Sequence, residues 1–164
     1  MKRPDIILKA ELKRQRETIN LIPSENYVSL PVLKALGSVF TNKYAEGKPY
    51  ARYYFGNANV DEVESLAQKL ALKAFKLSPR SWAVNVQPYS GSIANLAVYG
   101  ALVKPGDTML AMSLAHGGHL THGYRASITG KLWNFVHYGV GTDGFIDYRE
   151  VTRLARLHKP KLIV

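Results

Sequence analysis

Hydrophobic residues recur along the chain at intervals that predict helices alternating with short strands. In residues 61–75 the apolar positions lie three or four residues apart, as on one face of a helix. Residues 5–18 place Ile6, Leu8 and Leu12 among charged residues, which also predicts an amphipathic helix. Further helices are predicted over 31–39, 91–103 and 147–158, and a short one near Leu120. Short apolar runs predict strands at 82–86, 108–112, 132–140 and 161–164.

The order of these elements predicts the fold class. From residue 60 onward, strands alternate with helices, which favours an α/β fold with a mostly parallel sheet covered on both faces. Residues 41–59 are instead rich in Gly, Tyr and Asn without a clear period, and such long loops are usually functional or disordered. We therefore expect an N-terminal arm with a functional loop at 1–59 and an α/β domain at 60–164. Because the apolar segment 162–164 is followed by no turn or polar tail, we expect that domain to be incomplete.

The composition limits the class of protein. At 164 residues, with 46% hydrophobic and 21% charged residues, the chain is typical of one globular domain. It contains no cysteine, which excludes disulfides and cysteine-based metal sites and fits a reducing cytoplasm. No window holds the roughly 7–15 apolar residues of a signal peptide or the roughly 20 of a membrane span. We expect a cytoplasmic protein with no membrane partner.

The net charge of +10, from 22 basic and 12 acidic residues, favours an anionic partner. Basic residues concentrate at 9–16 and 153–161, where they either form solvated helix faces or attract a multiply charged ligand. A basic module that binds nucleic acid is an alternative function. No recognisable nucleic-acid-binding motif accompanies the charge, so we expect no nucleic-acid partner.

The segment Ser90-Gly91-Ser92 lies between a predicted strand and a predicted helix. Backbone N–H groups at a helix start, together with the positive end of the helix dipole, form a site for phosphate. Alternatively, Ser90 or Ser92 does no more than cap the helix. The residues alone leave both interpretations open.

Three histidines, His116, His119 and His122, are spaced three residues apart. This spacing is compatible with a metal site. However, Gly117 and Gly118 disfavour the continuous helix that would align the imidazoles, and no carboxylate or cysteine lies nearby to complete a ligand set. The sequence therefore predicts no metal site. A loop that places an imidazole over a flat ligand and a loop of solvent-exposed histidines both remain open.

A third group of polar side chains lies in the loop that contains Tyr44, Glu46, Arg52, Tyr53 and Tyr54. Phenols and a carboxylate in one place can transfer protons or bind phosphate. A tyrosine-rich interface loop is the alternative interpretation.

Several longer segments extend these observations over nearly the whole chain after residue 20. They are LIPSEN at 21–26, ALGSVFTNKYAEG at 35–47, RYY at 52–54, VDEVE at 60–64, NVQPYSGSIANLAVY at 85–99, KPGDTML at 104–110, LAHGGHLTHG at 114–123 and the closing HKPKLIV. Taken in order, these motifs resemble the N-terminal portion of the serine hydroxymethyltransferase family. The resemblance implies a fold-type-I enzyme dependent on pyridoxal 5'-phosphate, of which the chain holds the N-terminal arm and the first part of the large domain.

The resemblance implies roles for residues around the cofactor. Ser90 and Gly91 would hold its phosphate, and Tyr44 would reach the same phosphate. His119 would stack on the pyridine ring and would count among the catalytic residues.

The resemblance also implies contacts to substrates. Ser24 would contact the carboxylate of the amino acid, Glu46 would act as the acid–base carboxylate, and Tyr53 and Tyr54 would line the substrate site, with Tyr54 in a catalytic role. The folate co-substrate would be contacted by Leu114, Gly118 and Leu120. Tyr50 and Phe55 stand where the family usually has glycine, which places the geometry of the substrate loop in question.

The reaction implied is the reversible transfer of a hydroxymethyl group from serine to tetrahydrofolate, which gives glycine and 5,10-methylenetetrahydrofolate. In this family the loop bearing Tyr44, Glu46 and Tyr54 enters the partner subunit's site, which implies a homodimer. None of the lysines here lies in a motif that matches the lysine to which the family bonds its cofactor. We therefore expect the isolated chain to be inactive.

Two further functions stay open at this point. Another fold-type-I enzyme, such as an aminotransferase, fits the phosphate turn and the sheet but not the segments LIPSEN, NKYAEG and HGGHLTHG together. A natural short partner of a full-length enzyme is the second, but an apolar strand at the end of the chain disfavours it because an exposed edge promotes aggregation.

Overall fold

The computed structural model describes residues 3–164, which divide into two compact units, residues 3–66 and residues 67–164. The first unit contains helix α1 (Pro4–Glu17), helix α2 (Leu30–Leu36), a 3₁₀ turn (Val39–Asn42) and a small antiparallel hairpin of β1 (Gly47–Lys48) and β2 (Ala51–Arg52). Helix α3 (Ala58–Ala74) begins in the first unit and ends in the second. Proline in the first turn of α1 and of α2 suits both helix starts, because its missing N–H has no helical partner there.

The first unit is held by polar contacts rather than by an apolar core. Within residues 3–66 the residues buried as a whole are Asn57 and Asp61, while the apolar residues of α1, such as Ile7 and Leu8, are exposed. Buried polar groups are stable only when they are hydrogen-bonded or paired. The partners of Asn57 and Asp61 therefore determine the geometry of this unit.

The second unit is an α/β layer structure around a three-stranded parallel sheet. Its strands are β3 (Thr108–Met112), β4 (Asn134–Tyr138) and β5 (Leu162–Ile163), in the order β4-β3-β5. The connecting helices are α4 (Gly91–Leu102), α5 (Ile128–Leu132) and α6 (Tyr148–His158). The expected α/β architecture with a parallel sheet is therefore confirmed.

The central strand β3 is buried on both faces. Met109 packs with Tyr99 and Val103, at the end of α4, and with Trp133. Because side chains alternate along a strand, Leu110 points to the opposite face, where α6 packs on β3 and β4 and buries Leu154. Burial of three consecutive residues explains why β3 is an uninterrupted apolar run.

Two predicted elements are wrong. Residues 82–86 do not form a strand: no strand of residues 3–164 pairs with them, and the Asn85 side chain accepts the N–H of Gln87 to form a local turn. Their apolar alternation was the pattern of a strand, but a strand also needs a neighbour for its backbone groups. Near Leu120 the chain forms turns, and the short helix begins instead at Ile128, where Ser127 caps it by accepting the N–H of Gly130.

Other boundaries shift by a few residues. The predicted helix at 31–39 ends at Leu36, and α3 begins at Ala58 rather than at residue 61. The predicted strands at 132–140 and 161–164 shorten to β4 and β5. Within the part of the chain that the structure describes, no helix combines the length and apolar character needed to cross a membrane.

Candidate functional site

The start of α4 presents free backbone donors. Ser90 is the N-cap residue, and its hydroxyl accepts the N–H of Ile93 at 3.4 Å. Among the described residues, the N–H groups of Gly91 and Ser92 have no acceptor. A Cβ added at Gly91 would meet no neighbouring atom within 4 Å, so the space beside this residue is open. Ser90 thus caps the helix, and the turn still has the donors that phosphate requires.

His119 is connected to α4 by a chain of hydrogen bonds. The Asn95 side chain, in the second turn of α4, donates to the Thr121 hydroxyl over 2.8 Å. The same hydroxyl lies 2.8 Å from Nδ1 of His119. Thr121 is buried, while His119 is exposed. The structure therefore connects His119 to the second turn of α4, the helix that begins at Gly91 after Ser90.

The three predicted folate residues lie in the same loop as His119. Leu114 begins a 3₁₀ turn (Leu114–His116), and Leu114 and Leu120 are each about half exposed. Gly118 donates its N–H to the Ser113 carbonyl at 2.8 Å, and a Cβ added there would overlap the Met112 carbonyl oxygen. Glycine at position 118 therefore lets the loop pack directly on the end of β3.

The other histidines have structural partners. Nδ1 of His116 accepts the N–H of Val140 at 2.9 Å, and Nε2 of His137 lies 2.7 Å from the His122 carbonyl. Burial, and then the neighbouring His119, lower the pKa of His122. Among residues 3–164, no three His, Cys, Asp or Glu side chains are arranged to hold a metal ion.

In the first unit, Tyr44 and Tyr54 are in contact. Their rings meet edge to face with centroids 5.3 Å apart. The buried Asn57 side chain donates to the backbone carbonyls of both tyrosines, at 3.2 Å and 3.0 Å. The Glu46 carbonyl accepts the N–H of Tyr53 at 3.1 Å. The structure thus brings Tyr44, Glu46, Tyr53 and Tyr54 into one small hairpin, with all four side chains exposed.

Arg52 organises this hairpin from its buried side. Its guanidinium donates to the carbonyls of Ala45 and Gly47, the residues on either side of Glu46, at 2.8 Å and 2.9 Å. It also forms ion pairs of 2.7 Å with Asp61 and with Glu64. The Arg52 side chain is only 4% exposed. Hydrogen bonds to Glu64 and Asp61 raise the pKa of Arg52, so the guanidinium remains charged.

Tyr50, in the turn between β1 and β2, has an unusual backbone conformation. Tyr50 adopts a φ of 62°, in the left-handed region that favours glycine. A tyrosine held in this conformation carries a local cost in strain.

Ser24 lies on a separate exposed turn of the first unit, closed by the Glu25 N–H donating to the Ile22 carbonyl at 3.1 Å. A polar cavity of about 340 Å³ lies beside this turn, and its lining includes Glu11, Arg14, Glu25 and Asn26. Hydrogen bonds from Arg14 and Gln15 lower the pKa of Glu11 to about 2, so its carboxylate remains ionised in this cavity.

Four residues in these sites had no role assigned from the sequence. Arg52 was recognised as part of the polar loop, but its partners were not, and Asn57, Asn95 and Thr121 were not singled out. One signal was available: Asp61 and Glu64 lie three residues apart on α3, which places both carboxylates on one helix face. No comparable signal links Asn95 to Thr121, which lies 26 residues further along the chain.

Comparison of the sequence with known families shows which family this chain belongs to. The sequence model described as serine hydroxymethyltransferase matches residues 3–164, nearly the whole chain. The chain belongs to the serine hydroxymethyltransferase family. This result excludes the aminotransferase alternative.

Individual relatives are similar in sequence to this chain. The serine hydroxymethyltransferase of Baumannia cicadellinicola subsp. Homalodisca coagulata is 54% identical over 157 residues, which cover 96% of this chain and 37% of the relative. That of Hydrogenovibrio crunogenus is 56% identical over 158 residues, covering 96% of this chain and 36% of the relative. The chain therefore spans little more than a third of the length of these relatives.

Proposed function

We propose that the chain is the N-terminal part of a fold-type-I, pyridoxal-phosphate-dependent serine hydroxymethyltransferase of one-carbon metabolism. The complete enzyme would convert serine and tetrahydrofolate reversibly to glycine and 5,10-methylenetetrahydrofolate. One observation carries the proposal. Helix α4 has an open start at Ser90 and Gly91, and the same helix is hydrogen-bonded through Asn95 and Thr121 to the exposed His119. The absence of cysteine fits the cytoplasm, which is the compartment we propose.

The donors at the start of α4 suit the phosphate of the cofactor. Two unpartnered backbone N–H groups, the Ser90 hydroxyl and the positive end of a 12-residue helix favour an anion. The missing side chain at Gly91 leaves room for three phosphate oxygens. Ser90 and Gly91 would therefore hold the phosphate, and His119 would lie against the face of the pyridine ring.

When bound, the cofactor supplies an electron sink for the negative charge that develops at the α-carbon of the amino acid. The chain's own residues would orient the substrate and move protons. Ser24 would donate a hydrogen bond to the substrate carboxylate, and Glu46 would hold or release a proton at its carboxylate oxygens near the substrate hydroxymethyl group. Tyr53 and Tyr54 would line the same site.

The hairpin with Tyr44, Glu46 and Tyr54 would serve the second subunit of a homodimer. Its polar side chains are exposed, while its backbone is fixed from the buried side by Arg52 and Asn57. A preorganised, outward-facing loop suits insertion into a partner's site, where Tyr44 would donate to the cofactor phosphate. Leu114, Gly118 and Leu120 would contact the folate from the loop that carries His119.

The phosphate site can be tested with pyridoxine 5'-phosphate and pyridoxine, which lack the aldehyde that reacts with surface lysines. We expect the phosphorylated compound to bind this chain at least about tenfold more tightly, because charge-assisted hydrogen bonds hold the phosphate. Gly91→Asp should remove that preference by placing a carboxylate in the phosphate position.

The matched control is Gly100→Asp, which adds the same charge on the same helix at another open, exposed position. It should keep the preference for the phosphorylated compound. Equal binding of both compounds by the unmodified chain, measured by titration calorimetry, would contradict the proposed phosphate site.

A second test concerns turnover. None of the chain's lysines lies in a motif that matches the family's cofactor-bonding lysine, so we expect no glycine from serine when the chain is mixed with pyridoxal 5'-phosphate and tetrahydrofolate. Glycine is measured by chromatography after derivatisation. Formation of glycine above a protein-free control would show that the chain is sufficient for catalysis.

A further inference from the structure

The hydrogen bonds around His119 have a defined direction. The Asn95 amide group can only donate through Nδ2, so the Thr121 hydroxyl accepts from it over 2.8 Å. The hydroxyl proton is then free to point to Nδ1 of His119, 2.8 Å away. The backbone N–H of Thr121 donates to the same Nδ1 at 3.2 Å. Nδ1 thus accepts a short bond from the hydroxyl and a longer one from the backbone, and together they place the proton of the neutral ring on Nε2.

The backbone of His119 is fixed as well as its ring. Its own N–H donates to Nδ1 of His122 at 3.0 Å, and the two imidazoles meet edge to face with centroids 6.0 Å apart. His122 in turn lies partly buried beneath the loop. The ring of His119 is therefore held at Nδ1 and at its backbone, while the residue as a whole stays exposed.

We propose that Asn95 and Thr121 are positioning residues that fix His119 as the Nε2–H tautomer, with its ring plane set to stack on a flat aromatic ligand. The tautomer follows from the hydrogen bonds of this chain, whereas the identity of the ligand as a pyridoxine-type ring rests on the proposed function. A ring held in one orientation loses little rotamer freedom when a ligand stacks on it. The same hydrogen bonds connect the His119 ring to α4, so they hold the ring at a fixed position relative to the proposed phosphate site on that helix.

The tautomer can be measured directly in the ligand-free chain. Long-range proton–nitrogen NMR spectra of ¹⁵N-histidine-labelled protein distinguish the two neutral tautomers at about pH 8, above the usual titration range of imidazole. We expect His119 to show only Nε2–H. His158, exposed on α6, should show the mixture of an unconstrained ring and serves as reference in the same spectrum.

Thr121→Val removes the hydroxyl with little change in shape, and Asn95→Ala removes its donor. In Thr121→Val, Nδ1 of His119 keeps only the weaker 3.2 Å backbone bond. In Asn95→Ala, the hydroxyl is no longer held as a donor to Nδ1. In both variants the tautomer mixture should approach that of His158. Thr121→Ser should restore the single tautomer. Thr152→Val on α6 is the matched control, because it removes an exposed hydroxyl that bonds only its own helix carbonyl.

Ligand binding gives a second measurement. Thr121→Val should weaken binding of pyridoxine and of pyridoxine 5'-phosphate by the same factor, about fivefold, since it alters the ring contact and not the phosphate contact. Gly91→Asp should weaken only the phosphorylated compound. A failure of the proposed phosphate site can therefore be distinguished from a failure of the proposed positioning of His119.

A mixture of tautomers at His119 in the unmodified chain would overturn the positioning proposal, whatever the ligand affinities. So would an unchanged tautomer in both Thr121→Val and Asn95→Ala. If His119 behaves as expected but neither pyridoxine compound binds, the hydrogen-bond arrangement stands and the proposed function fails. Circular dichroism of each variant confirms that helix content is retained.

Discussion

Replacing Arg52 with methionine is expected to open the hairpin that carries Glu46. The substitution leaves the carboxylates of Asp61 and Glu64 side by side and largely buried, with side-chain exposures of 9% and 12%. It also removes the donors to the carbonyls of Ala45 and Gly47. Removing one partner of a buried ion pair is much more costly than removing a surface pair, because a buried charge, here that of Asp61, loses its compensating partner.

The effect can be followed by hydrogen exchange. The N–H of Tyr53, which bonds the Glu46 carbonyl across the hairpin, should exchange on the order of a hundredfold faster in Arg52→Met. Arg52→Lys should also lose protection, since an ammonium group keeps the charge but cannot supply the fork of donors that reaches two carbonyls and two carboxylates.

Arg153→Met provides the matched control. Arg153 binds Glu150 through two hydrogen bonds of 2.7 Å and 2.8 Å, but its side chain is 61% exposed. Exposed pairs contribute little to stability, so exchange of neighbouring amides should change by less than about fivefold. Similar exchange of the Tyr53 amide in Arg52→Met and in the unmodified chain would show that Arg52 does not hold the hairpin.

The second large effect is expected at Gly118. Alanine there would place its Cβ on the Met112 carbonyl oxygen and within 2.8 Å of backbone atoms of Ser113. The end of β3 cannot move away easily, because Met109, Leu110 and Ala111 are fully buried in the sheet. We expect Gly118→Ala to lower the free energy of unfolding by about 3 kcal/mol, at the upper end of the cost of overpacking.

Urea denaturation of the chain measures this change. Gly100→Ala is the matched control, because the added methyl group meets no atom within 4 Å and lies inside α4. It should increase stability by up to about 1 kcal/mol through its better helix propensity. Equal midpoints for Gly118→Ala and the unmodified chain would show that the loop has room for a side chain.

Local patterns predicted the regular elements of the second unit well. The strand at 108–112 has the predicted ends, since both faces of β3 are buried and every residue between the flanking turns is apolar or small. Asp147 begins α6 by accepting the N–H groups of Arg149 and Glu150, as expected of an acidic N-cap residue. These signals lie within a few residues of one another, so they can be recognised without the fold.

The sequence by itself determined the family, through its ordered motifs, and the α/β class, through the alternation of its elements. It also predicted the residues that the proposed cofactor and substrates would contact. The tertiary structure alone decided how those residues are held. Arg52 meets Glu64 across 12 residues and Asn95 meets Thr121 across 26, and each pair forms only because folding brings distant segments together. Hydrogen bonds and ion pairs have a reach of a few ångströms, so the partners of Arg52 and the tautomer of His119 depend on three-dimensional position, which local sequence patterns do not encode.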